Sequence, residues 1–323
     1  MDQEERLYLE FSTESPGPAS HLMSRAAFKK QTLLGEMTVE EQRAAQQKLH
    51  EALPALPGIK TQPLTLGGVG CEWVQQHESH PDKMILYLHG GSWLMGNLII
   101  SRHGASLFAQ AIPVPVLSVE YRLAPEHPFP AGLEDCRAVW DALLQEGYRP
   151  ENIALLGDSA GGNLCLALIH LLLAEGAPLP CAVGLLSPVT DVSEKSTFQL
   201  CPPPLAFAQW QGKRQAIFDL YAQGHDLTDP LLSPVYGNLQ GFPPLLIHVG
   251  GDESLAVDCA ALAKKAHAQG VDAFCKIWRE MFHDFTLAGP ALRESRQSVA
   301  EMAEFFERHL ASGACLPKLM EED

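Results

Sequence analysis

The first residues with an evident chemical use are Gly157-Asp158-Ser159-Ala160-Gly161-Gly162. Small residues around a serine in the pattern G-x-S-x-G permit a sharp, strained turn that projects the hydroxyl outward, as an exposed nucleophile must be. The spacing alone marks only a glycine-rich turn, so the context decides. Ile153-Ala154-Leu155-Leu156 reads as a strand leading in, and residues 160–174 read as an apolar helix leading out. In that setting Ser159 is expected to be the nucleophile of an acyl transfer.

A serine hydroxyl attacks poorly until a base takes its proton, and the base needs an acid to orient it. With this type of turn the acid and then the histidine follow the serine along the chain. Among 13 histidines, His283 is best placed, in Met281-Phe282-His283-Asp284-Phe285 just past a predicted strand ending at Trp278. His248 falls inside a predicted strand, and His267 and His309 fall on predicted helices, which suits core or solvent roles. The predicted strand Leu245–Val249 runs into Gly250-Gly251-Asp252-Glu253-Ser254-Leu255 and offers two acids, Asp252 and Glu253. Residue chemistry leaves both open, and either also suits the first turn of the helix that follows.

The tetrahedral intermediate further requires backbone donors aimed at its oxyanion. The predicted strand Met84–Leu88 ends in His89-Gly90-Gly91-Ser92-Trp93. The N–H groups of Gly90, Gly91 and Ser92, with that of Ala160 after the nucleophile, are the candidate donors. His89 is expected to order this loop and not to titrate.

The elements that must hold these residues alternate between short apolar runs and longer helical patterns. Strands are predicted at 84–88, 114–119, 153–156, 182–187, 244–249 and 274–278. Helices are predicted at 131–146, 160–174, 256–269 and 293–310. Such alternation predicts an α/β fold whose mostly parallel sheet is covered by helices on both faces. The first fifty residues are polar and helix-compatible, with Thr38-Val39-Glu40-Glu41 presenting a helix cap and no obvious strand. From Thr190 to Phe242 the rhythm breaks. That stretch holds Pro202-Pro203-Pro204, a helical pattern from Phe207 to Tyr221 and a turn-rich segment, and it is too long for a simple connection between strands. The tail after Leu310 has no packing pattern. Gly67-Gly68-Val69-Gly70 lacks the spacing and acidic partner of a dinucleotide site and reads as a turn.

Taken with Tyr121-Arg122-Leu123-Ala124-Pro125-Glu126-His127-Pro128-Phe129-Pro130-Ala131 and Asp229-Pro230-Leu231-Leu232-Ser233-Pro234, the loop at His89 and the turn at Ser159 resemble the hormone-sensitive-lipase-like (family IV) carboxylesterases of the α/β-hydrolase superfamily. The resemblance covers about residues 80–310. It implies residues 1–50 as the N-terminal part of a helical cap, 51–190 and 243–323 as the two parts of the hydrolase core, and 191–242 as a cap insertion. It implies Ser159 as nucleophile, His283 as base, and the N–H groups of Gly91, Ser92 and Ala160 as the oxyanion hole. The family's acid usually stands in Asp-x-Leu, so setting Leu255 in register favours Glu253 over Asp252. The expected activity is hydrolysis of short to medium acyl esters without metal or organic cofactor. Trp93, Phe207 and Trp210 fall where a substrate pocket wall would stand.

Three departures from the family pattern matter. Ser92 replaces the third glycine, Glu-x-Leu replaces Asp-x-Leu, and His-Asp-Phe replaces His-Gly-Phe, which sets a second carboxylate beside the base where it would raise the histidine pKa. A kynurenine-formamidase-like amidase shares the HGG-x-W loop and is the alternative activity. A non-catalytic ligand-binding protein of the same fold, as in plant gibberellin receptors, is the alternative class, against which the presence of His283 counts.

Composition limits the partners. With 23 Lys+Arg against 39 Asp+Glu in 323 residues the net charge is −16, which argues against nucleic acid, since phosphate neutralisation requires clustered cations. The longest apolar helical run, Leu164–Ala174, falls short of the about 20 residues a membrane span needs. The acidic start Met1-Asp2-Gln3-Glu4-Glu5-Arg6 does not resemble a secretory signal, and the eight cysteines show no CxxC pair, so a cytoplasmic protein without zinc or a disulfide framework is expected. The sequence leaves room for a homodimer.

Overall fold

The structure is a computed structural model and describes residues 7–13, 16–17, 37–52, 56–76, 82–194, 196 and 207–310, with the side chains of 207–214 excepted. The described strands are β1 (Leu9–Phe11), β2 (Lys60–Leu66), β3 (Val69–Gln75), β4 (Met84–Leu88), β5 (Val116–Val119), β6 (Ile153–Asp158), β7 (Ala182–Leu186), β8 (Leu245–Gly250) and β9 (Ala273–Trp278). The helices are α1 (Val39–Glu51), α2 (Leu98–Ala111), α3 (Ala131–Gln145), α4 (Ser159–Glu175), α5 (Phe207–Ala222), α6 (Ala256–Ala268) and α7 (Arg293–His309). The strands form one sheet in the order β1-β9-β8-β7-β6-β4-β5-β3-β2, parallel throughout except where β3 pairs with β2 and β5.

The central strands β4, β6, β7 and β8 are buried along their whole length. That is why their sequences are continuous apolar runs and not alternating patterns. Helices α3, α4 and α6 pack in one apolar cluster on one face, and α2 and α7 in another on the opposite face. Helix α4 lies directly over the sheet and is apolar nearly all round, with buried residues from Ser159 to Leu172.

Three features differ from the sequence reading. The first fifty residues do hold a strand, because Leu9–Phe11 adds to the sheet edge in parallel with Cys275–Ile277 of β9. The turn at Gly67-Gly68 joins β2 and β3, two strands the apolar pattern did not delimit. Helix α2 was also unannounced; its start is set by Asn97, whose side chain accepts from the Ile100 N–H. The cap at Thr38 is present as a reciprocal pair, with Glu41 N–H donating to Thr38 Oγ1 and Thr38 N–H donating to the Glu41 carboxylate. Met1–Arg6, Pro202–Pro204 and the tail after Leu310 lie outside the described residues.

Candidate active site

The parallel strands deliver their connecting turns to one edge of the sheet. Ser159 is the first residue of α4 and sits at φ 50°, a left-handed conformation that costs a serine about 1–3 kcal/mol and is held by its surroundings. Gly161 makes the turn possible, since a Cβ there would collide with the Leu88 carbonyl at the end of β4. Ser187 extends β7 between β6 and β8, and the loops after β8 and β9 bring Glu253 and His283 to the same edge.

These loops converge on one hydrogen-bonded line. Ser159 Oγ lies 3.0 Å from His283 Nε2, and His283 Nδ1 lies 2.5 Å from Glu253 Oε2. Of the two adjacent acids, the Glu253 carboxylate therefore stands at the imidazole, and the longer side chain does reach. Its other oxygen accepts from the Gly250 N–H at 2.6 Å and from the Ser187 hydroxyl at 2.5 Å, which fixes the carboxylate plane. Asp252 is tied into the loop by its backbone, its N–H donating to the Met281 carbonyl at 3.0 Å.

Asp284 adds a second carboxylate. It has φ 56°, and this turn brings Oδ2 to 3.2 Å from His283 Nε2, the nitrogen that also faces Ser159. Burial pulls the imidazole down, but Asp284, Glu253 and Asp158 outweigh it and hold His283 up at about 10. Burial pushes the Asp284 carboxyl well above its ordinary range. Asp158, at the end of β6, is likewise raised by burial and accepts from the Tyr87 hydroxyl at 2.6 Å.

The glycine loop lies beside the elbow. A Cβ at Gly90 would stand 3.1 Å from the Ser159 Cβ, so the loop backbone approaches the serine closely. The Gly90 N–H is directed at the Asp158 carboxylate, which leaves Gly91, Ser92 and Ala160 to carry the donor expectation. Gly91 has φ 116°, and a Cβ there would strike the Met95 carbonyl. Ser92 and Trp93 follow at φ 57° and 58°, so the chain holds two successive side-chain-bearing residues in left-handed geometry, the first of them at the third-glycine position of the loop. His89 stacks on Tyr121 at 4.3 Å between ring centroids and is pulled down to about 4 by burial, as befits a residue that orders the loop.

Trp93 is buried and stacks on Tyr221 of α5, with ring centroids 4.3 Å apart and planes within 5°. Phe207 and Trp210 lie on α5, but their side chains fall outside the described residues. Helix α1 is tied to the same region through Arg43, which donates to the Leu94 carbonyl at 2.7 Å and the Ala124 carbonyl at 2.8 Å and pairs with Glu126. Sequence reading missed Ser187 and gave Asp158 no role. No local signal marked Ser187, which the sequence reading placed as the last residue of a predicted strand at 182–187, whereas β7 ends one residue earlier at Leu186.

The family model described as the α/β-hydrolase fold matches residues 85–287, and the chain belongs to that family. It is 34% identical over 275 residues to an acetyl-hydrolase of Streptomyces hygroscopicus, covering 85% of this chain and 92% of the relative. It is 32% identical to an esterase of Acinetobacter venetianus, covering 80% and 85%. A crystal structure of an esterase from the bacterial hormone-sensitive lipase family superposes with a TM-score of 0.83 at 34% identity, covering 92% of this chain and 100% of that one. Within the hydrolases the protein is a hormone-sensitive-lipase-like carboxylic ester hydrolase; the amidase alternative is not favoured.

Proposed function

We propose that Ser159, His283 and Glu253 carry out the ester hydrolysis, with the N–H groups of Gly91, Ser92 and Ala160 receiving the oxyanion. His283 Nε2 takes the Ser159 proton as Oγ attacks the ester carbonyl, and Glu253 holds the Nδ1–H tautomer and balances the imidazolium. Collapse expels the alcohol, water attacks the acyl-enzyme through the same imidazole, and Ser159 is restored. The observation that carries this reading is the unbroken line from Ser159 Oγ through both imidazole nitrogens to Glu253.

Residues 191–242 together with α1 act as a cap over the site and set acyl size, favouring short to medium chains. Support comes from the Arg43 contacts of α1 and the Trp93–Tyr221 stack of α5, both of which grip the segment following the glycine loop. Trp93 is then a wall residue of the substrate pocket, and Phe207 and Trp210 belong to the part of the cap formed by α5. The unpaired described cysteines, most of them buried, suit a reducing cytoplasmic compartment. Among the described residues no helix is long and apolar enough to cross a membrane.

Steady-state hydrolysis of p-nitrophenyl esters from acetate to decanoate tests both parts. Ser159→Ala is expected to lower kcat by on the order of 10⁴-fold or more. Full-rate turnover in that variant sinks the assignment, and a rate that rises toward the longest chains sinks the proposed acyl range.

A further inference from the structure

The imidazole of His283 has a carboxylate at each nitrogen, Glu253 at Nδ1 and Asp284 at Nε2. The second one is not an accident of a loose side chain. The Asp284 backbone is turned into the left-handed region, its N–H donates to Ser187 Oγ at 3.2 Å, and that hydroxyl donates in turn to Glu253. The turn that aims Asp284 is thus fastened to the acid on the far side of the ring. The oxygen Oδ1 is buried without a hydrogen-bond partner among the described residues, so Oδ2 at Nε2 is the observed polar contact of this carboxylate. The remaining titratable groups around the pair are Asp158 at the end of β6 and Tyr87 on β4, which are bonded to one another.

Resting on the assignment of Ser159 and His283 made above, we propose that Asp284 is a fourth catalytic group, which holds the transferred proton on His283 Nε2 and directs the enzyme toward esters of acidic alcohols, aryl and enol esters, at alkaline pH.

The chemistry follows from one nitrogen having two partners. While Nε2 carries a proton, held there by the Asp284 carboxylate oxygen 3.2 Å away, the nitrogen has no lone pair with which to accept from Ser159. Loss of that proton to solvent leaves neutral imidazole beside an Asp284 carboxylate, and Nε2 is free to take the Ser159 proton. As the Oγ–carbonyl bond forms, that proton moves to Nε2, and Asp284 stabilises the imidazolium. The base is stronger for this, and the conjugate acid correspondingly weaker. An alkoxide must receive the Nε2 proton as the C–O bond breaks, so alkyl esters suffer from the weaker acid. A phenolate or enolate leaves without it, and the proton passes to solvent before water attacks the acyl-enzyme. The surrounding charge agrees in direction, since His283 is held at about 10 against burial.

The test uses Asp284→Asn, which keeps the shape and tolerates left-handed backbone, and Asp284→Gly, which relieves the turn. For each, kcat/KM for phenyl butyrate and ethyl butyrate is followed across pH. Both variants are expected to move the acid limb of the profile down by about one pH unit or more. The phenyl-to-ethyl ratio at alkaline pH is expected to fall by about fivefold. An acid limb that stays in place, or a ratio that does not fall, overturns the proposal. The two readings are separable, because persistent turnover in Ser159→Ala defeats the nucleophile assignment, whereas an unmoved profile in active Asp284 variants defeats only the role of Asp284.

Discussion

Two serine–histidine–glutamate constellations stand among the described residues, and one of the two has the makings of an active site. At the edge of the sheet stand Ser159, His283 and Glu253. Within the packing of β8 against α7, His248 Nδ1 lies 2.7 Å from Ser298 Oγ and His248 Nε2 lies 3.5 Å from Glu301 Oε2. By residue type and approximate distance the two are alike. They differ in access and in charge. Ser298 is wholly inaccessible and His248 is 1% exposed, whereas the His283 side chain keeps 28% of its surface. Burial and then Lys276 pull His248 down to about 3, and Lys276 holds the other oxygen of the Glu301 carboxylate at 2.7 Å, which offsets its charge. Three carboxylates do the reverse at His283. The inner cluster works as a clamp: Ser298 also bonds to Thr286 Oγ1 at 2.7 Å, tying α7 to the segment just past His283. A base needs a path to substrate and a field that welcomes its proton, and proximity of the three residue types supplies neither.

The largest expected contrast is kinetic. Glu253→Gln keeps the volume of the acid but removes its charge and its control of the tautomer, and should lower kcat by on the order of 10³–10⁴-fold. Glu301→Gln, at a part-buried ion pair outside the line from Ser159 to Glu253, should leave kcat within about twofold. Initial rates on a chromogenic ester decide the matter. A large loss in Glu301→Gln would mean that the inner cluster takes part in turnover.

The next contrast is in stability and has the opposite sense. Ser298→Ala strips a buried hydroxyl from between His248 and Thr286 and should cost about 1–3 kcal/mol, read from the midpoint of urea unfolding. Ser159→Ala, which silences the proposed nucleophile and removes one hydrogen bond to His283, should cost no more than about 1 kcal/mol. If Ser298→Ala unfolds at the wild-type midpoint, the clamp is not one.

What the sequence disclosed follows the same physics. The elbow was legible because an apolar strand, a run of small residues and an apolar helix coincide around Ser159, and each is a local signal. His283 was legible as a histidine just past a strand end, and His248 was set aside because it lies inside one. Ser187 was not legible, since its contact with Glu253 depends on β7 lying between β6 and β8, a matter of strand order and not of neighbours in the chain. Leu9–Phe11 spans three residues at a sheet edge, too few for alternation to register. Helix α2 carries Ser101, Arg102, His103 and Gly104 in its middle, which obscures its apolar stripe. The choice of Glu253 over Asp252 rested on family register, because two adjacent acids on one loop have the same local chemistry.

A further contrast is in the pH dependence of stability, where the two histidines should pull in opposite directions. His248 has a folded pKa of about 3 against an ordinary 6.5, so its contribution is full above 6.5 and is lost as the pH falls toward 3. His283 has a folded pKa of about 10, so its contribution is full below 6.5 and is lost as the pH rises toward 10. Each group can add a slope of at most about 1.4 kcal/mol per pH unit. Urea unfolding at a series of pH values should therefore show His248→Gln flattening the acid arm and His283→Gln flattening the alkaline arm. An alkaline arm unchanged in His283→Gln would mean that the carboxylates around that imidazole do not hold its proton. The alkaline arm also bears on catalysis. The proton whose loss frees Nε2 for Ser159 is the one that ties His283 to its carboxylates, so activity should rise over the same pH range in which this part of the stability is given up. The inner cluster faces no such conflict, because His248 keeps its neutral form from about pH 3 upward and has no reaction for which to surrender a proton.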